Sequence, residues 1–306
     1  MKWLVIGSGA IGTFFGAKLQ LAGHEIDFLA RGDRLSFLRR HGITLRTGDE
    51  KHHLTANAIA DVSETRRPDI ILMCTKTWQL PDVLPMLARH VQGPVGIVTL
   101  QNGIEATAIV HAQLPGAGVM GGTARGFFEL NPDGTVHHRG VQPFLTFGAI
   151  DDAGRRYVEP VRAAISGAGI ACAVREDIEV ALWEKFMLVS SIGAVAGYCD
   201  LTIGHLKDTP DAWAMLGDVM REFVALAHIR NVGLREGFVD EMLAFVSTFP
   251  MDATTSMQRD IKAGRPSEID SQIGAVVRLA DEAGLDVPAC RFLYDALAIR
   301  AGAWSG

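Results

Sequence analysis

The chain has 306 residues, 48% of them hydrophobic, and a formal net charge of −6, which is enough chain for two domains and a large core. An acidic balance with no basic stripe removes nucleic acid from the expected partners. The four cysteines stand in neither disulfide nor zinc spacing and the ten histidines form no ligand pattern, so no disulfide framework and no metal are expected.

Trp3 to Ile6 is a short apolar run that reads as a buried strand, and Thr13 to Leu21 has helical character. Between them Gly7, Gly9 and Gly12 give the spacing G-x-G-x-x-G, and a second strand, Glu25 to Ala30, follows at once. In that context Gly7 permits a tight turn, Gly9 lets the backbone approach a pyrophosphate, and Gly12 lets helix and strand pack closely. Gly7, Ser8, Gly9, Ala10, Ile11 and Gly12 are therefore the candidate phosphate cradle, with the helix N-terminus supplying N–H groups. The alternative is a glycine-rich turn of an ordinary α/β protein.

An acidic residue at the end of the second strand would suit the ribose hydroxyl of NAD, whereas an arginine suits the 2′-phosphate of NADP. Here the strand runs into Arg31-Gly32-Asp33-Arg34, and the competing acid, Asp27, falls inside the strand. Arg31, with Arg34 as a second cation, marks NADP; the alternative is a solvated basic loop. Ile43 to Asn57 reads as a β-rich excursion.

Asp69 to Cys74 and Val95 to Leu100 are apolar runs consistent with buried parallel strands. They lead into Thr75-Lys76 and Gln101-Asn102-Gly103. Ligands of open α/β sheets bind beyond the carboxyl ends of strands, which places Lys76 and Asn102 where a cofactor or substrate is met. A helical stretch, Ile104 to Gln113, follows Asn102-Gly103, so a strand-to-helix loop is expected there instead of a hairpin turn. Val119 to Phe128, Thr135 to His138 and Phe144 to Ala149 read as further strands, Arg156 to Gly167 as a helix, and Ile170 to Val174 as a last strand.

Beyond Arg175 the pattern is helical: Asp177 to Tyr198, Asp211 to Asn231, Glu236 to Phe249, Thr255 to Ala263, Ser267 to Ala283 and Pro288 to Ala301. The expected architecture is a dinucleotide-binding α/β domain over residues 1–174 and an all-helical domain over 175–306, with a cleft between them. The first residues run straight into a strand and leave no room for a signal peptide. Phe186 to Cys199, the longest uncharged apolar-rich stretch, is too short to span a membrane. A cytoplasmic protein with reduced thiols and no membrane partner is expected.

Lys185 lies in an apolar helix, with Val189 and Gly193 one and two turns on. Glu184 points about 100° away at helical spacing. Such a lysine either snorkels to solvent or meets a partner from another element, and desolvation would lower its pKa and make it a proton donor. Thr255-x-x-Gln258 is a capping box; that helix start and the Ser256 hydroxyl could also meet a substrate carboxylate. Glu268 is either a first-turn carboxylate complementing a helix dipole or a partner for Lys185 or a substrate hydroxyl.

Taken together, G-x-G-A-x-G, Arg31, Thr75-Lys76, Asn102-Gly103, Trp183-x-Lys185, Ser256-Met257-x-x-Asp260 and Glu268, in this order along nearly the whole chain, resemble the ketopantoate reductase (2-dehydropantoate 2-reductase) family. The resemblance implies a Rossmann-type doubly wound sheet domain that binds NADPH, followed by a helical domain. It implies reduction of a small 2-oxo acid, in the family 2-dehydropantoate on the route to pantothenate. It also implies Lys185 as the acid that protonates the ketone oxygen, Glu268 beside it, and Ser256 on the carboxylate. Lys76 and Asn102 would lie near nicotinamide and substrate. A homodimer is among the expected assemblies. Val189, Gly193 and Ala253 depart from the pattern, since enzymes established on ketopantoate typically carry asparagines at these places. A related reductase of another 2-oxo acid or ketone, and a non-catalytic NADP-binding sensor, therefore stand as alternatives.

Overall fold

The computed structural model describes residues 1–91 and 93–302. They form two compact units: Met1–Gln101 with Ala106–Ala181, and Asn102–Glu105 with the chain from Leu182 onward.

The first unit is built on a 10-stranded sheet in the order β4-β3-β9-β8-β7-β6-β1-β2-β5, with β10 beside β9. The strands are β1 (Lys2–Ile6), β2 (Glu25–Leu29), β3 (Ile43–Thr47), β4 (Glu50–Leu54), β5 (Asn57–Ile59), β6 (Ile70–Met73), β7 (Gly96–Thr99), β8 (Gly118–Leu130), β9 (Thr135–Ala149) and β10 (Ala171–Val174). Its helices are α1 (Ala10–Leu21), α2 (Gly32–His41), α3 (Leu80–His90), α4 (Glu105–Gln113) and α5 (Asp152–Gly167).

β1 is the pivot. It pairs in parallel with β2 on one side, Ile6 opposite Leu29, and with β6 on the other, Ile6 opposite Met73. The chain leaves β1 toward one edge of the sheet and later returns to its other flank. The carboxyl end of β1 is thus a point where strand order reverses, the place where such sheets bind ligands. Side chains alternate across the pleat: Trp3 and Val5 join one apolar cluster with Phe14, Phe15 and Phe28, while Leu4 and Ile6 join another with Ile71, Met73 and Leu84. Burial on both faces is what makes the strand read as an unbroken apolar run.

Three features differ from the sequence pattern. Arg31 is followed by a helix, α2, rather than a basic loop. Leu80–His90 is also helical although it holds Pro81 and Pro85, because Leu80, Val83, Leu84 and Leu87 form a buried stripe. Thr135 to His138 and Phe144 to Ala149 are one strand, β9, paired antiparallel with β8 across an irregularity at Arg125/Phe127. The exposed Arg139–Gln142 stretch interrupts the apolar alternation between the two ends of this strand.

The remaining helices are α6 (Ile178–Cys199), α7 (Ile203–Leu206), α8 (Pro210–Ile229), α9 (Phe238–Val246), α10 (Ser256–Lys262), α11 (Ala275–Ala283) and α12 (Pro288–Arg300). α6 is long and apolar enough to cross a membrane by length and composition, and it is mostly buried inside the protein. Trp183, Phe186 and Met187 are enclosed, and the Phe186 ring lies 5.0 Å from that of Phe223 on α8. Glu222 of α8 accepts from the N–H groups of Ala289 and Cys290, at 2.8 Å each, and so closes the first turn of α12. The helix expected from Ser267 begins instead with a π-turn, Asp270–Gly274, that leads into α11.

Candidate active site

At the end of β1 each glycine of the loop meets a different constraint. Gly7 has φ +99, and a Cβ there would come within 2.5 Å of the Cys74 carbonyl carbon and the Thr75 nitrogen. A Cβ at Gly12 would fall 2.1 Å from the Gly7 oxygen. One at Gly9 would meet nothing within 4 Å. Gly7 and Gly12 therefore let backbone pack on backbone, and Gly9 leaves its outer side open to a close-approaching group. No side chain caps α1 and its first turn holds no acid. The turn through Ala10, Ile11 and Gly12 therefore offers N–H groups and the positive end of the helix dipole, a set of donors that fits a dinucleotide pyrophosphate.

The loop is braced from behind. Ser8 Oγ donates to the Leu29 oxygen at 2.8 Å, and Thr13 Oγ1 donates to the Ser8 oxygen at 3.0 Å. Arg34 donates through Nε to the same Ser8 oxygen at 2.9 Å and through Nη2 to Thr13 Oγ1 at 3.1 Å. Burial lowers the pKa of Arg34. Arg34 thus supports the cradle. Arg31 is different. It precedes α2, its side chain is 60% exposed, and it makes a 3.6 Å ion pair with the exposed Asp82, a contact of small energy. Asp27 is spoken for inside the sheet: Lys2 Nζ lies 3.0 Å away, and Asn57 and Thr65 donate to its two oxygens.

Cys74 and Thr75 lie against the same loop, as the Gly7 contacts require, and Lys76 follows them. Gln101 Nε2 donates to Thr75 Oγ1 at 3.4 Å, bringing the end of β7 beside the end of β6. The Lys76 backbone N–H donates to Gln79 Oε1 at 3.0 Å, and its ammonium lies 5.7 Å from the Trp78 ring centre. Asn102-Gly103 leads into α4 and is no hairpin.

In the second unit, Lys185 projects from α6. Its pKa is lowered to about 8, because burial penalises the ammonium more than the nearby Glu268 charge supports it. Glu268 is itself enclosed, at 2% exposure. Glu184, the residue before the lysine, accepts from Arg235 at 3.0 Å and faces another way, as helical spacing requires. The segment Asn102–Glu105 is counted with this unit. A Cβ at Gly103 would lie 2.9 Å from the Ser271 oxygen, and Arg278 Nη2 reaches Glu105 at 2.8 Å. Asn102 is thereby held near the turn that follows Glu268.

Ser256 opens α10 as a half-buried residue, behind a Thr255 cap whose Oγ1 accepts from the Gln258 N–H at 3.1 Å. Asp260 holds Arg265 through its Oδ1, at 3.0 and 2.8 Å. Sequence reasoning missed Gln272 in this neighbourhood and gave Met257 no role beyond its place in the motif. A Cβ at Gly193 would strike the Met257 methyl at 2.6 Å and would lie 3.7 Å from Gln272 Oε1. Met257 therefore fills the space that a side chain at 193 would take, and Gln272 Oε1 borders it. No sequence signal marks Gln272, which stands among the polar residues of Glu268-Ile269-Asp270-Ser271-Gln272.

Two adjoining family models match the chain. Ketopantoate reductase PanE/ApbA covers residues 3–152, and ketopantoate reductase PanE/ApbA C terminal covers residues 177–301. The 2-dehydropantoate 2-reductase of Halobacterium salinarum is 28% identical over 303 residues, covering 96% of this chain and 97% of its own. A crystal structure of a PanE/ApbA family ketopantoate reductase from Ralstonia eutropha JMP134 superposes with a TM-score of 0.90 at 25% identity, over 99% of both chains. A D-mandelate dehydrogenase solved with NADH and anilino(oxo)acetate shares the fold, at a TM-score of 0.89 and 22% identity over 99% of both chains. Because the two family models follow one another in order and between them leave only short stretches unmatched, the chain belongs to the ketopantoate reductase family and is an oxidoreductase of it.

Proposed function

We propose that the protein reduces the ketone of a 2-oxo acid with NADPH, most simply 2-dehydropantoate, and that Lys185 supplies the proton. The observation that carries this reading is Lys185 itself, a buried ammonium whose pKa is brought down to about 8 with the enclosed Glu268 as its charged neighbour. A structural lysine at a helix surface would keep its head in water. A buried one near neutrality is the form in which a side chain can hold a proton and release it.

Reduction adds a hydride to the carbonyl carbon and a proton to the carbonyl oxygen; NADPH supplies the hydride when bound. The C=O π pair then moves onto oxygen, and Lys185 Nζ donates its proton to that developing alkoxide. The lysine is left as a neutral amine and regains a proton from solvent. Glu268 opposes the effect of burial and keeps Lys185 protonated before the transfer. The Ser256 hydroxyl is assigned to the substrate carboxylate, and Lys76 and Asn102 to the nicotinamide side of the substrate. The glycine loop and α1 hold the pyrophosphate, and Arg31 takes the 2′-phosphate, its guanidinium being exposed and only weakly paired.

The test is oxidation of NADPH and of NADH against a panel of 2-oxo acids, 2-dehydropantoate included. Turnover of at least one acid, faster with NADPH, is expected. Tight NADPH binding with no turnover of any acid would leave a cofactor-binding module in place of a reductase.

A further inference from the structure

Gln272 is enclosed, at 2% exposure, and its oxygen Oε1 has no hydrogen-bond partner among the described residues. Buried polar atoms in native proteins are nearly always paired, so each exception calls for a reason. Other buried atoms of this unit are in the same state but differ in kind. The Ser190 and Ser191 hydroxyls lack partners too, and a hydroxyl can rotate toward an acceptor. Gln258 Oε1 is open, but its Nε2 donates to the Ala196 and Leu201 oxygens at 3.3 and 2.7 Å, which makes that side chain a tie between segments. Gln272 has no comparable structural tie among the described hydrogen bonds.

One backbone bond places the residue and one contact places its carboxamide. Along its own segment, the Gln272 N–H donates to the Glu268 oxygen at 2.9 Å, so the two side chains leave the chain one turn apart, about 6 Å along the axis. Across the unit, Oε1 lies 3.7 Å from where a Gly193 Cβ would be. Lys185, Val189 and Gly193 succeed one another at four-residue spacing on one side of α6. The open acceptor therefore faces the side of α6 that carries the lysine, one turn from the carboxylate that acts on that lysine. Gly193 lies two turns beyond Lys185, about 12 Å along the axis, so the acceptor serves the end of the substrate chain far from the ketone. The Met257 methyl packed at Gly193 makes the adjoining wall apolar.

We propose that Gln272 Oε1 accepts a hydrogen bond from a hydroxyl on the substrate chain beyond the ketone, and that Gln272 is the residue that selects hydroxylated 2-oxo acids over plain ones. The inference rests on the 2-oxo acid reading of this site. A buried acceptor left without a protein partner favours a ligand hydroxyl and disfavours the analogue that lacks it.

The experiment compares 2-dehydropantoate with trimethylpyruvate, which lacks only the terminal hydroxyl, using the full chain with NADPH. The unaltered protein, Gln272→Leu and Gln272→Met are assayed side by side, with melting temperatures as a check on folding. Both variants are expected to lose about 10- to 100-fold in kcat/KM on the hydroxylated acid, mainly through KM, and to stay within about twofold on trimethylpyruvate. Equal losses on both acids, or loss of folded protein in both variants, would make Gln272 a packing residue and overturn the proposal. Turnover of both acids with a ratio that neither variant moves overturns the role of Gln272 alone. No turnover of either acid by the unaltered protein overturns the 2-oxo acid reading and this inference with it.

Discussion

Lys185 joins two properties that usually exclude each other, since it is charged in water and it is buried. Burial moves its pKa from 10.5 to about 8, and Glu268 limits the fall. The sign of the pH dependence follows. On the proposed reading reduction needs the protonated lysine, so kcat/KM should be level below about pH 8 and fall about tenfold per unit above it. Oxidation of the hydroxy acid needs the neutral amine and should rise over the same range. Lys185→Ala should lower kcat by about 10²–10⁴-fold and remove the alkaline limb from what activity remains. A variant that folds, binds NADPH and keeps near-normal kcat would return Lys185 to the role of a core residue. Glu268→Gln gives the complementary result: with the supporting charge gone, the limb should move to lower pH.

At the scale of elements, the glycine loop separates two effects that a motif search merges. Gly7 lies at φ +99 against the Cys74–Thr75 backbone, whereas Gly9 faces open space. Gly7→Ala should therefore destabilise the fold by more than the roughly 1–2 kcal/mol that a left-handed conformation costs an L-residue, since the backbone contact adds to it. Gly9→Ala should melt normally and weaken NADPH by about tenfold or more, about 1.4 kcal/mol. Equal losses of stability in both would refute this division of labour. The loop, its strands and most of the helices were legible because their residues carry period and punctuation: apolar runs for strands buried on both faces, glycine where backbone must touch backbone. α2 was not legible because only Leu38 is buried in it, and a helix with one core contact has no periodic signal. α3 was masked by Pro85, which lies inside it. Lys185 and Glu268 could be chosen by motif, but their burial belongs to the packed helices. Gln272 was hidden because a π-turn sets its direction, and the spacing of an ordinary helix does not foretell that turn.

The whole molecule carries a net charge of −6, yet its expected ligands are anions. Long-range attraction is then no help, and the proposed reading gives the task to local positive potential: the α1 N-terminus for the pyrophosphate and Arg31 for the 2′-phosphate. Asp82, 3.6 Å from Arg31, partly offsets that charge, and a bound 2′-phosphate competes with it for the guanidinium. The consequence is measurable as stability of the intact chain, because a ligand that binds only the native state stabilises it by mass action. At a concentration 100 times Kd that gain is about 2.7 kcal/mol, a rise of about 5 °C in Tm for a chain of this size. At equal concentrations NADPH should raise Tm by more than NADH does. Arg31→Ala should bring the NADPH shift down to the NADH value and leave the NADH shift unchanged, since NADH has no phosphate for the arginine to hold. Asp82→Asn should enlarge the NADPH shift by releasing Arg31 from its competing partner. Equal shifts from the two cofactors in the unaltered protein would remove Arg31 from the cofactor site and leave the glycine loop serving either nucleotide alike.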